Sequence, residues 1–258
     1  MLLVIDVGNT NITLGVYKQE ELTAKFRLTT KMQRTSDEFG ITLFSFFRTK
    51  DIDPKDVEGV MISSVVPKVM HSLTNAIRRY FSLEPLVIGP GMKTGISIKT
   101  ENPKEVGADR IVNLAATFHL YGGPALVIDF GTATTYDYVN ENGEFEYGLT
   151  SPGIGIAAQA LWTQAAKLPE IEIKKPETIL CRNTITRMQG GLVYGYIGQT
   201  EYIIQKMKEA TNIDFKVIAT GGLGRIINNE TQMIDVYDTD LAFKGMKLIY
   251  EKTKGSEK

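Results

Sequence analysis

The fold is decided by Val4-Ile5-Asp6-Val7-Gly8-Asn9-Thr10-Asn11-Ile12-Thr13, an apolar run that leads into an Asp, a Gly and small polar side chains. The same order of residue types returns 123 positions later as Val127-Ile128-Asp129-Phe130-Gly131-Thr132-Ala133-Thr134. A repeat at close to half of the 258 residues indicates a duplicated domain rather than a short-period array. We therefore expect two related halves, residues 1–123 and 124–258.

Each copy has the pattern of a buried strand that delivers a carboxylate to its end. The Gly then allows a tight turn, and small donors can bind an anionic group held there: Asn9, Thr10, Thr13, Thr132 and Thr134. Mg²⁺ in nucleotide sites is commonly held by one or two carboxylates together with phosphates and water. The residues alone therefore predict two turns that face each other across a cleft and hold a nucleoside triphosphate, with Mg²⁺ near Asp6.

The composition is that of an ordinary globular protein, without the charge pattern of a nucleic-acid binder. Hydrophobic residues make up 43% and charged residues 23%, and 29 basic residues balance 30 acidic ones to a net charge of −1. Nucleic-acid binders usually show a basic excess or a basic stripe. The sequence therefore predicts no nucleic-acid partner.

The single cysteine, Cys181, excludes an intrachain disulfide and is typical of a reducing compartment. Neither histidine lies beside it in the sequence, so an incidental thiol is a simpler interpretation than a nucleophile. No stretch approaches the roughly 20 apolar residues of a membrane span, and the short apolar run at residues 2–5 leads directly into Asp6. We expect a cytoplasmic protein without membrane contact.

Hydrophobic periodicity predicts three successive strands at the start of each half, followed by alternating helices and strands. In the first half we expect strands at 2–5, 12–17, 22–28 and 60–66, a helix over 36–48 with Ser36 as N-cap, and helices over 67–81 and about 103–121. In the second half we expect strands at 126–129, 134–139, 145–149 and 215–219, with helices over about 152–167, 185–210 and 238–250. This order predicts an α/β fold of duplicated ribonuclease H-like domains of the actin and sugar-kinase type, with mixed sheets flanked by helices and the active site in the interdomain cleft.

A third feature is Val106-Gly107-Ala108-Asp109-Arg110, early in a predicted helix. A helix N-terminus collects anions, and a carboxylate that stays ionised there can accept a proton from a substrate hydroxyl. A structural ion pair explains the same spacing and, from spacing alone, is the simpler interpretation. Phosphoryl transfer depends mainly on positioning and charge neutralisation, so a base of low pKa remains compatible with that reaction.

The turn Thr220-Gly221-Gly222-Leu223-Gly224 follows a predicted strand and opens a helix. Because nothing projects from Gly, an adenosine can lie flat against such a backbone. An isolated Gly-rich turn is weakly specific, whereas beside two phosphate turns it becomes an expected third nucleotide contact.

Together these segments resemble the type III pantothenate kinase family over essentially the whole chain. The residues that carry the resemblance are Asp6-Val7-Gly8-Asn9-Thr10, Gly107-Ala108-Asp109-Arg110, Asp129-Phe130-Gly131-Thr132-Ala133, Ser151-Pro152-Gly153 and Arg182-Asn183-Thr184. The resemblance implies an enzyme of the actin-like kinase fold that phosphorylates pantothenate at its 4′-hydroxyl with ATP, the first step toward coenzyme A. It also implies a homodimer and a monovalent cation, K⁺ or NH₄⁺, besides the Mg²⁺ that accompanies ATP.

The resemblance further implies roles for individual residues. The ATP-binding loop corresponds to Asp6, Val7, Gly8, Asn9, Thr10, Asn11, Ile12 and Thr13, with Thr132 as the second phosphate contact, while Gly221 and Gly222 stay the expected adenosine contacts. Pantothenate is implied to contact Gly107, Ala108, Asp109, Arg110 and Thr184, with Asp109 as proton acceptor. The resemblance makes Asp129 the ligand of the monovalent cation. This role replaces the interpretation in which Asp6 and Asp129 both serve Mg²⁺. Asp6 is then left to hold Mg²⁺ through water.

One position departs from the family pattern. Many members carry a Tyr that touches the substrate where this chain has Thr100, before Glu101-Asn102-Pro103. We therefore count Thr100 among the substrate-binding residues and expect the substrate to pack differently at that wall.

Two other classes of protein use the same scaffold. A regulatory protein is one, because the family has relatives described as transcription activators, but the near-neutral charge and the intact segment at residues 107–110 argue against it. An actin-like ATPase without a small acceptor is the other, and such proteins usually need more chain for partner surfaces. ATPase activity that does not depend on pantothenate would identify an actin-like ATPase. Retention on DNA at physiological salt would identify a regulatory protein.

Overall fold

The computed structural model describes residues 1–255, which form two compact units. One unit contains Met1–Ile96, Glu101–Ala116 and the described part of Asp240–Lys258, and the other contains Ser97–Thr100 and Thr117–Thr239. The predicted division after residue 123 follows the sequence repeat and stays a prediction. The two compact units are defined by packing rather than by chain order. The terminal helix α7 (Leu241–Gly255) belongs to the first unit because it packs against strands near the start of the chain.

Within residues 1–255, five strands form the mixed sheet of the first unit: β1 (Leu2–Val7), β2 (Asn11–Lys18), β3 (Glu21–Thr29), β4 (Gly59–Ser64) and β5 (Leu86–Val87). Their order in the sheet is β3-β2-β1-β4-β5. The first three strands are antiparallel neighbours, whereas β4 runs parallel to β1 and β5 runs parallel to β4.

Six strands form the sheet of the second unit: β6 (Ser97–Ile98), β7 (Ala125–Phe130), β8 (Ala133–Val139), β9 (Glu144–Pro152), β10 (Lys216–Thr220) and β11 (Val236–Tyr237). Their order is β11-β10-β7-β8-β9-β6. The strands β7, β8 and β9 are antiparallel neighbours, and β10 and β11 continue the sheet in parallel on the other side of β7.

Apart from the added edge strand β6, the two sheets have one topology. Asp6 lies on the central strand β1 beside Ser63 of β4, and Asp129 lies on the central strand β7 beside Thr220 of β10. Each carboxylate is one residue from the end of its strand. The predicted duplication is therefore present in the sheet order and in the register, and not only in the sequence.

Helices cover both faces of the first sheet. On one face, alternate residues of β1 (Leu3 and Ile5) join the core formed with α1 (Ser36–Arg48) and α2 (Pro67–Phe81). On the other face, Val4 packs in a core with α7 and with the first part of α3 (Ala108–Tyr121). This division follows from the period of two along a strand, which sends successive side chains to opposite faces.

The second unit has one large core between its sheet and three helices. These are α4 (Ile154–Gln164), α5 (Thr184–Thr211) and α6 (Gly224–Asn228). The buried aromatic side chains of Phe130, Tyr136 and Tyr138 lie at its centre. Within residues 1–255, no helix combines the length and the apolarity that crossing a bilayer requires.

The start of α1 differs from the prediction. Thr35, not Ser36, is the N-cap: its Oγ1 accepts from the Glu38 backbone N at 3.3 Å, and the Glu38 carboxylate accepts from the Thr35 N at 2.7 Å. This reciprocal arrangement satisfies two helix-end donors at once. The Ser36 prediction was wrong because a Glu three residues after a Thr decides the cap.

The helix predicted over residues 103–121 is two elements. A 3₁₀ turn spans Pro103–Glu105, Val106 is extended, and α3 begins only at Ala108. The segment at residues 107–110 is therefore the entry to a helix rather than its interior. Other boundaries also shift, since α4 ends at Gln164, α7 begins at Leu241, and β11 was not predicted.

Candidate active site

The first phosphate loop joins β1 to β2 through three residues, Gly8, Asn9 and Thr10. The Gly8 backbone N donates to the Asn11 carbonyl at 3.0 Å, and a Cβ on Gly8 would lie only 3.2 Å from that oxygen. Asn9 and Thr10 are exposed at the tip of the turn. The loop thus presents to solvent the two side chains that the sequence predicts as phosphate donors.

Asp6 and Asp109 are neighbours within the first unit. Burial, and after it the negative charge of Asp109, raise the pKa of Asp6 to about 7, against an opposing effect of the Ser63 hydroxyl. Ser63 is fully buried beside Asp6 in the strand pairing, and within the described residues its Oγ does not reach hydrogen-bond geometry with any protein atom. A shielded carboxylate next to a second acid is an electrostatic environment that a cation would relieve.

Asp109 lies in the first turn of α3, where a carboxylate is favoured by the helix dipole. Its Oδ1 accepts from the Arg110 backbone N at 2.8 Å. A Cβ on Gly107 would come within 2.5 Å of that same oxygen, so the glycine leaves the space that the carboxylate occupies. The Asp109 carboxylate is thus held by the first turn of its own helix, and the Arg110 side of the motif also has an interaction partner.

The second phosphate loop joins β7 to β8. The Gly131 N donates to the Ala133 carbonyl at 3.1 Å, and the Thr132 carbonyl accepts from the Gly153 N at 3.0 Å. A Cβ on Gly153 would lie 2.3 Å from the Thr132 oxygen and 2.4 Å from the Gly131 oxygen. Only glycine fits against this loop, which gives a physical reason for the Pro152-Gly153 motif.

The Gly-rich turn after β10 lies against the end of β7. Gly221 has a φ of +98°, and a Cβ there would lie 2.6 Å from Phe130 backbone atoms. The Tyr237 hydroxyl donates to the Gly221 carbonyl, and burial together with the charge of Asp129 raises the pKa of Tyr237 against the opposing effect of Arg225. The structure therefore brings Asp129 and the Gly221 turn together in the second unit.

The two remaining predicted substrate contacts also lie in the second unit. Thr184 is the exposed first residue of α5, directly after the N-cap Asn183, whose Oδ1 accepts from the Thr186 N at 2.9 Å. Thr100 follows β6, and its Oγ1 is buried without a hydrogen-bond partner among the described residues. A buried orphan hydroxyl of this kind is available to a ligand.

The predicted site residues therefore divide between the units. The first unit holds the ATP loop at residues 6–13 and the segment at residues 107–110. The second unit holds Thr100, Asp129, Thr132, Thr184, Gly221 and Gly222.

Sequence reasoning missed polar residues that support the loops. Ser63 lies beside Asp6, and its counterpart Thr220 lies beside Asp129, so a polar residue at the end of the fourth strand of each half was a visible but unused signal. Thr30, directly after β3, binds the first loop through two hydrogen bonds. Tyr196 donates to the Pro152 carbonyl at 2.7 Å and so fixes the residue before Gly153.

The acid side chains fit cations that are held partly by a nucleotide. Within residues 1–255 there is no group of three or more His, Cys, Asp or Glu side chains able to hold a metal ion by themselves. Nucleotide-bound Mg²⁺ requires only one or two carboxylates besides phosphates and water, and Asp6 can supply one. Asp129 pairs with Thr220 of β10, and a Cβ on Gly131 would lie 3.5 Å from its Oδ1, so this carboxylate lies at the second loop as an oxygen donor of the kind that a hard cation prefers.

The sequence comparison gives a family. A sequence model of the family described as type III pantothenate kinase matches residues 2–206. A curated protein from Agathobacter rectalis that bears the name type III pantothenate kinase is 59% identical over 253 residues, which are 98% of this chain and 97% of that protein.

Similar solved structures support the fold alone, because their sequences are distant. A Campylobacter jejuni protein described as a Baf family transcriptional activator is 20% identical with a TM-score of 0.60, over 98% of this chain and 99% of its own. A Sinorhizobium meliloti protein described as a 2-dehydro-3-deoxygalactonokinase is 12% identical with a TM-score of 0.57. The match covers 98% of this chain and 96% of that protein. Component A of the Acidaminococcus fermentans (R)-2-hydroxyglutaryl-CoA dehydratase is 11% identical with a TM-score of 0.55. The match covers 100% of this chain and 99% of that protein.

These similarities agree with the duplicated sheets, so the predicted actin and sugar-kinase type of fold is confirmed. The family match extends over most of the chain, and the relative from Agathobacter rectalis aligns with almost all of it. The chain belongs to the type III pantothenate kinase family.

Proposed function

We propose that this protein transfers the γ-phosphoryl group of ATP to the 4′-hydroxyl of pantothenate and so begins coenzyme A biosynthesis. The observation that carries the proposal is the pairing of Asp109 with Asp6 at the end of β1, in a chain of this family. In this proposal Asp6 serves the nucleotide and Asp109 serves the acceptor. Phosphoryl transfer needs this combination of positioning and charge control more than covalent chemistry.

The nucleotide end of the site uses the two loops. Asn9 and Thr10 at the exposed tip of the first loop donate to phosphate oxygens, together with Thr13 on β2. Thr132, exposed on the second loop, is the corresponding donor in the other unit. Adenosine is proposed to lie against the turn at Gly221 and Gly222, where neither residue has a side chain and a Cβ on Gly222 would meet no atom within 4 Å. Mg²⁺, which Asp6 would hold through water, supplies neutralisation of phosphate charge when it is bound with ATP.

The acceptor end of the site uses the entry to α3. Asp109 accepts the proton of the 4′-hydroxyl as that oxygen attacks the γ-phosphorus, while the bond from the phosphorus to the β,γ-bridging oxygen breaks. Gly107 leaves the space that the Asp109 carboxylate needs, and Ala108 and Arg110 flank it. Thr184 and Thr100 complete the proposed pantothenate contacts, with Thr100 as a smaller wall than the Tyr of many relatives.

Asp129 is proposed as a ligand of a monovalent cation, K⁺ or NH₄⁺. When bound there, such a cation would offset negative charge on the phosphates. A homodimer and a cytoplasmic location are also proposed, and they rest on the family rather than on a contact within this chain. The near-neutral net charge supports the proposal that nucleic acid is not a partner.

The experiment that tests the proposal is product identification. The protein is incubated with Mg-ATP and pantothenate in K⁺ buffer, and the products are followed by mass spectrometry and by ³¹P–¹H NMR. We expect ADP and a phosphomonoester coupled to the C4′ methylene protons of pantothenate, in equal amounts. ADP without a phosphorylated acceptor would contradict the proposal and support an actin-like ATPase.

A further inference from the structure

Thr30 is a buried polar residue that binds the first phosphate loop twice. Its Oγ1 donates to the Gly8 carbonyl at 2.7 Å, and its backbone N donates to the Thr10 carbonyl at 2.9 Å. The residue is 8% exposed and lies directly after the last residue of β3, 20 positions beyond the loop. A single residue therefore fixes two of the loop's peptide groups.

Other bonds complete the same arrangement. The Val7 carbonyl accepts from the Val65 N at 3.1 Å, and the Asn11 carbonyl accepts from the Gly8 N at 3.0 Å. The carbonyl oxygens of Val7, Gly8, Thr10 and Asn11 are thus all engaged by protein donors. A backbone turn binds an anion when its N–H groups face the ligand and its carbonyl oxygens point away. These bonds hold the four carbonyl oxygens on protein donors and so keep them away from the phosphates.

The second unit shows which part of this arrangement belongs to the duplicated fold. There the residue directly after the third strand is Gly153, and its N donates to the Thr132 carbonyl at 3.0 Å, as the Thr30 N donates to the Thr10 carbonyl. The backbone bond is therefore common to both repeats. The hydroxyl bond from Thr30 to Gly8 has no counterpart at Gly153, which carries no side chain.

From these contacts we propose that the Thr30 hydroxyl is the positioning group of the ATP-binding loop. Without the hydroxyl, the Gly8 carbonyl loses its buried donor, and rotation of that peptide toward water turns an oxygen toward the phosphates. Thr30 itself does not contact the nucleotide or the acceptor in this proposal. The role assigned to the loop rests on the proposed function, whereas the contacts of Thr30 do not.

The test compares three variants of the full chain in steady-state kinetics with Mg-ATP and pantothenate. Thr30→Val keeps the shape and the backbone N–H but removes the hydroxyl, and Thr30→Ser restores it. Thr23→Val is the matched control, because the Thr23 hydroxyl also donates from β3 to a β2 carbonyl, that of Val16, at 3.0 Å, near the opposite end of this strand pair.

We expect Thr30→Val to lower kcat/KM for ATP about tenfold, the effect of one lost buried hydrogen bond, and to leave the KM for pantothenate within about twofold. Thr30→Ser should restore ATP kinetics, and Thr23→Val should leave them unchanged. Unaltered ATP kinetics in Thr30→Val, an equal loss in Thr30→Ser, or an equal loss in Thr23→Val would each overturn the proposal.

Calorimetric binding of Mg-ATP to the same variants separates this proposal from the proposed function. If the wild-type protein fails to phosphorylate pantothenate but Thr30→Val still weakens Mg-ATP binding about tenfold, the role of Thr30 stands and the acceptor assignment falls. If the wild-type protein phosphorylates pantothenate and Thr30→Val binds Mg-ATP with wild-type affinity, the acceptor assignment stands and the role of Thr30 falls.

Discussion

Asp6 lies beside Asp109, and burial together with the charge of Asp109 raises the pKa of Asp6 to about 7. Asp6 lies on the central strand β1, whereas Asp109 lies at the entry to α3, so two separate elements bring the carboxylates together. Two neighbouring acids repel each other when both are ionised. In the proposed reaction, that repulsion is balanced by the cation that accompanies ATP.

The first prediction concerns the pH dependence of stability without nucleotide. The pKa of Asp6 is raised from 3.8 to about 7 on folding, so the folded protein binds this proton more tightly than the unfolded chain. The resulting stabilisation is fully present below pH 3.8 and is lost as the pH rises to about 7, a change of a few kcal/mol. Urea unfolding in EDTA at several pH values, compared with Asp6→Asn, measures it. A constant difference between the two proteins across that range would contradict the shift.

The second prediction concerns Asp109 as proton acceptor. Asp109→Asn keeps the size of the side chain and removes its basicity, so we expect kcat to fall about 10²- to 10⁴-fold. Binding of Mg-ATP should persist, because the loops that hold phosphate are unchanged. The control is Glu105→Gln, which removes an exposed carboxylate four residues earlier. Normal turnover in Asp109→Asn would remove Asp109 from the mechanism.

The third prediction uses two adjacent glycines with different surroundings. Gly221→Ala places a Cβ 2.6 Å from Phe130 backbone atoms at a φ of +98°, so we expect a loss of about 2–4 kcal/mol in the free energy of unfolding. At Gly222 a Cβ would meet no atom within 4 Å, and Gly222→Ala should change stability little. Thermal and urea unfolding distinguish the two variants. Equal stabilities would show that the Gly221 turn is not held tightly against β7.

The fourth prediction concerns Asp129 and the monovalent cation. We expect turnover to be higher in K⁺ than in Na⁺ at equal ionic strength, and Asp129→Asn to lose most of that difference. Removing the carboxylate weakens a cation held by oxygen ligands, so the K⁺ concentration needed for half-maximal rate should rise severalfold. A wild-type rate indifferent to K⁺, or a variant with full K⁺ activation, would argue against this role.

Much of the fold could be predicted because two strong patterns agree along the chain. The apolar runs around Asp6 and Asp129 identified the central strands, and the periodicity of two and of 3.6 identified most of the other elements. The predicted α2 and the structure share the bounds Pro67–Phe81, since Pro at the first position marks a helix start. The turn between β8 and β9 contains Asn142-Gly143, a pair that is typical of hairpin turns, and Gly143 has a φ of +75°.

The supporting contacts could not be predicted, because they join residues that are distant in sequence. The hydroxyl of Thr30 reaches Gly8, and Tyr237 reaches Gly221, only after the sheets have formed. The entry to α3 was misplaced because Pro103 is an ordinary helix-start signal, whereas here it opens a separate 3₁₀ turn before Gly107. The roles of the individual site residues stay predictions until they are measured.

Phosphoryl transfer to pantothenate is tested most directly by ADP release from Mg-ATP, measured in K⁺ buffer with and without pantothenate. We predict that release depends on pantothenate and reaches one ADP for each pantothenate consumed. Release at the same rate without pantothenate would contradict the acceptor assignment while leaving the ATP-binding fold in place. No release under either condition, together with retention on DNA at physiological salt, would instead favour the regulatory class of protein.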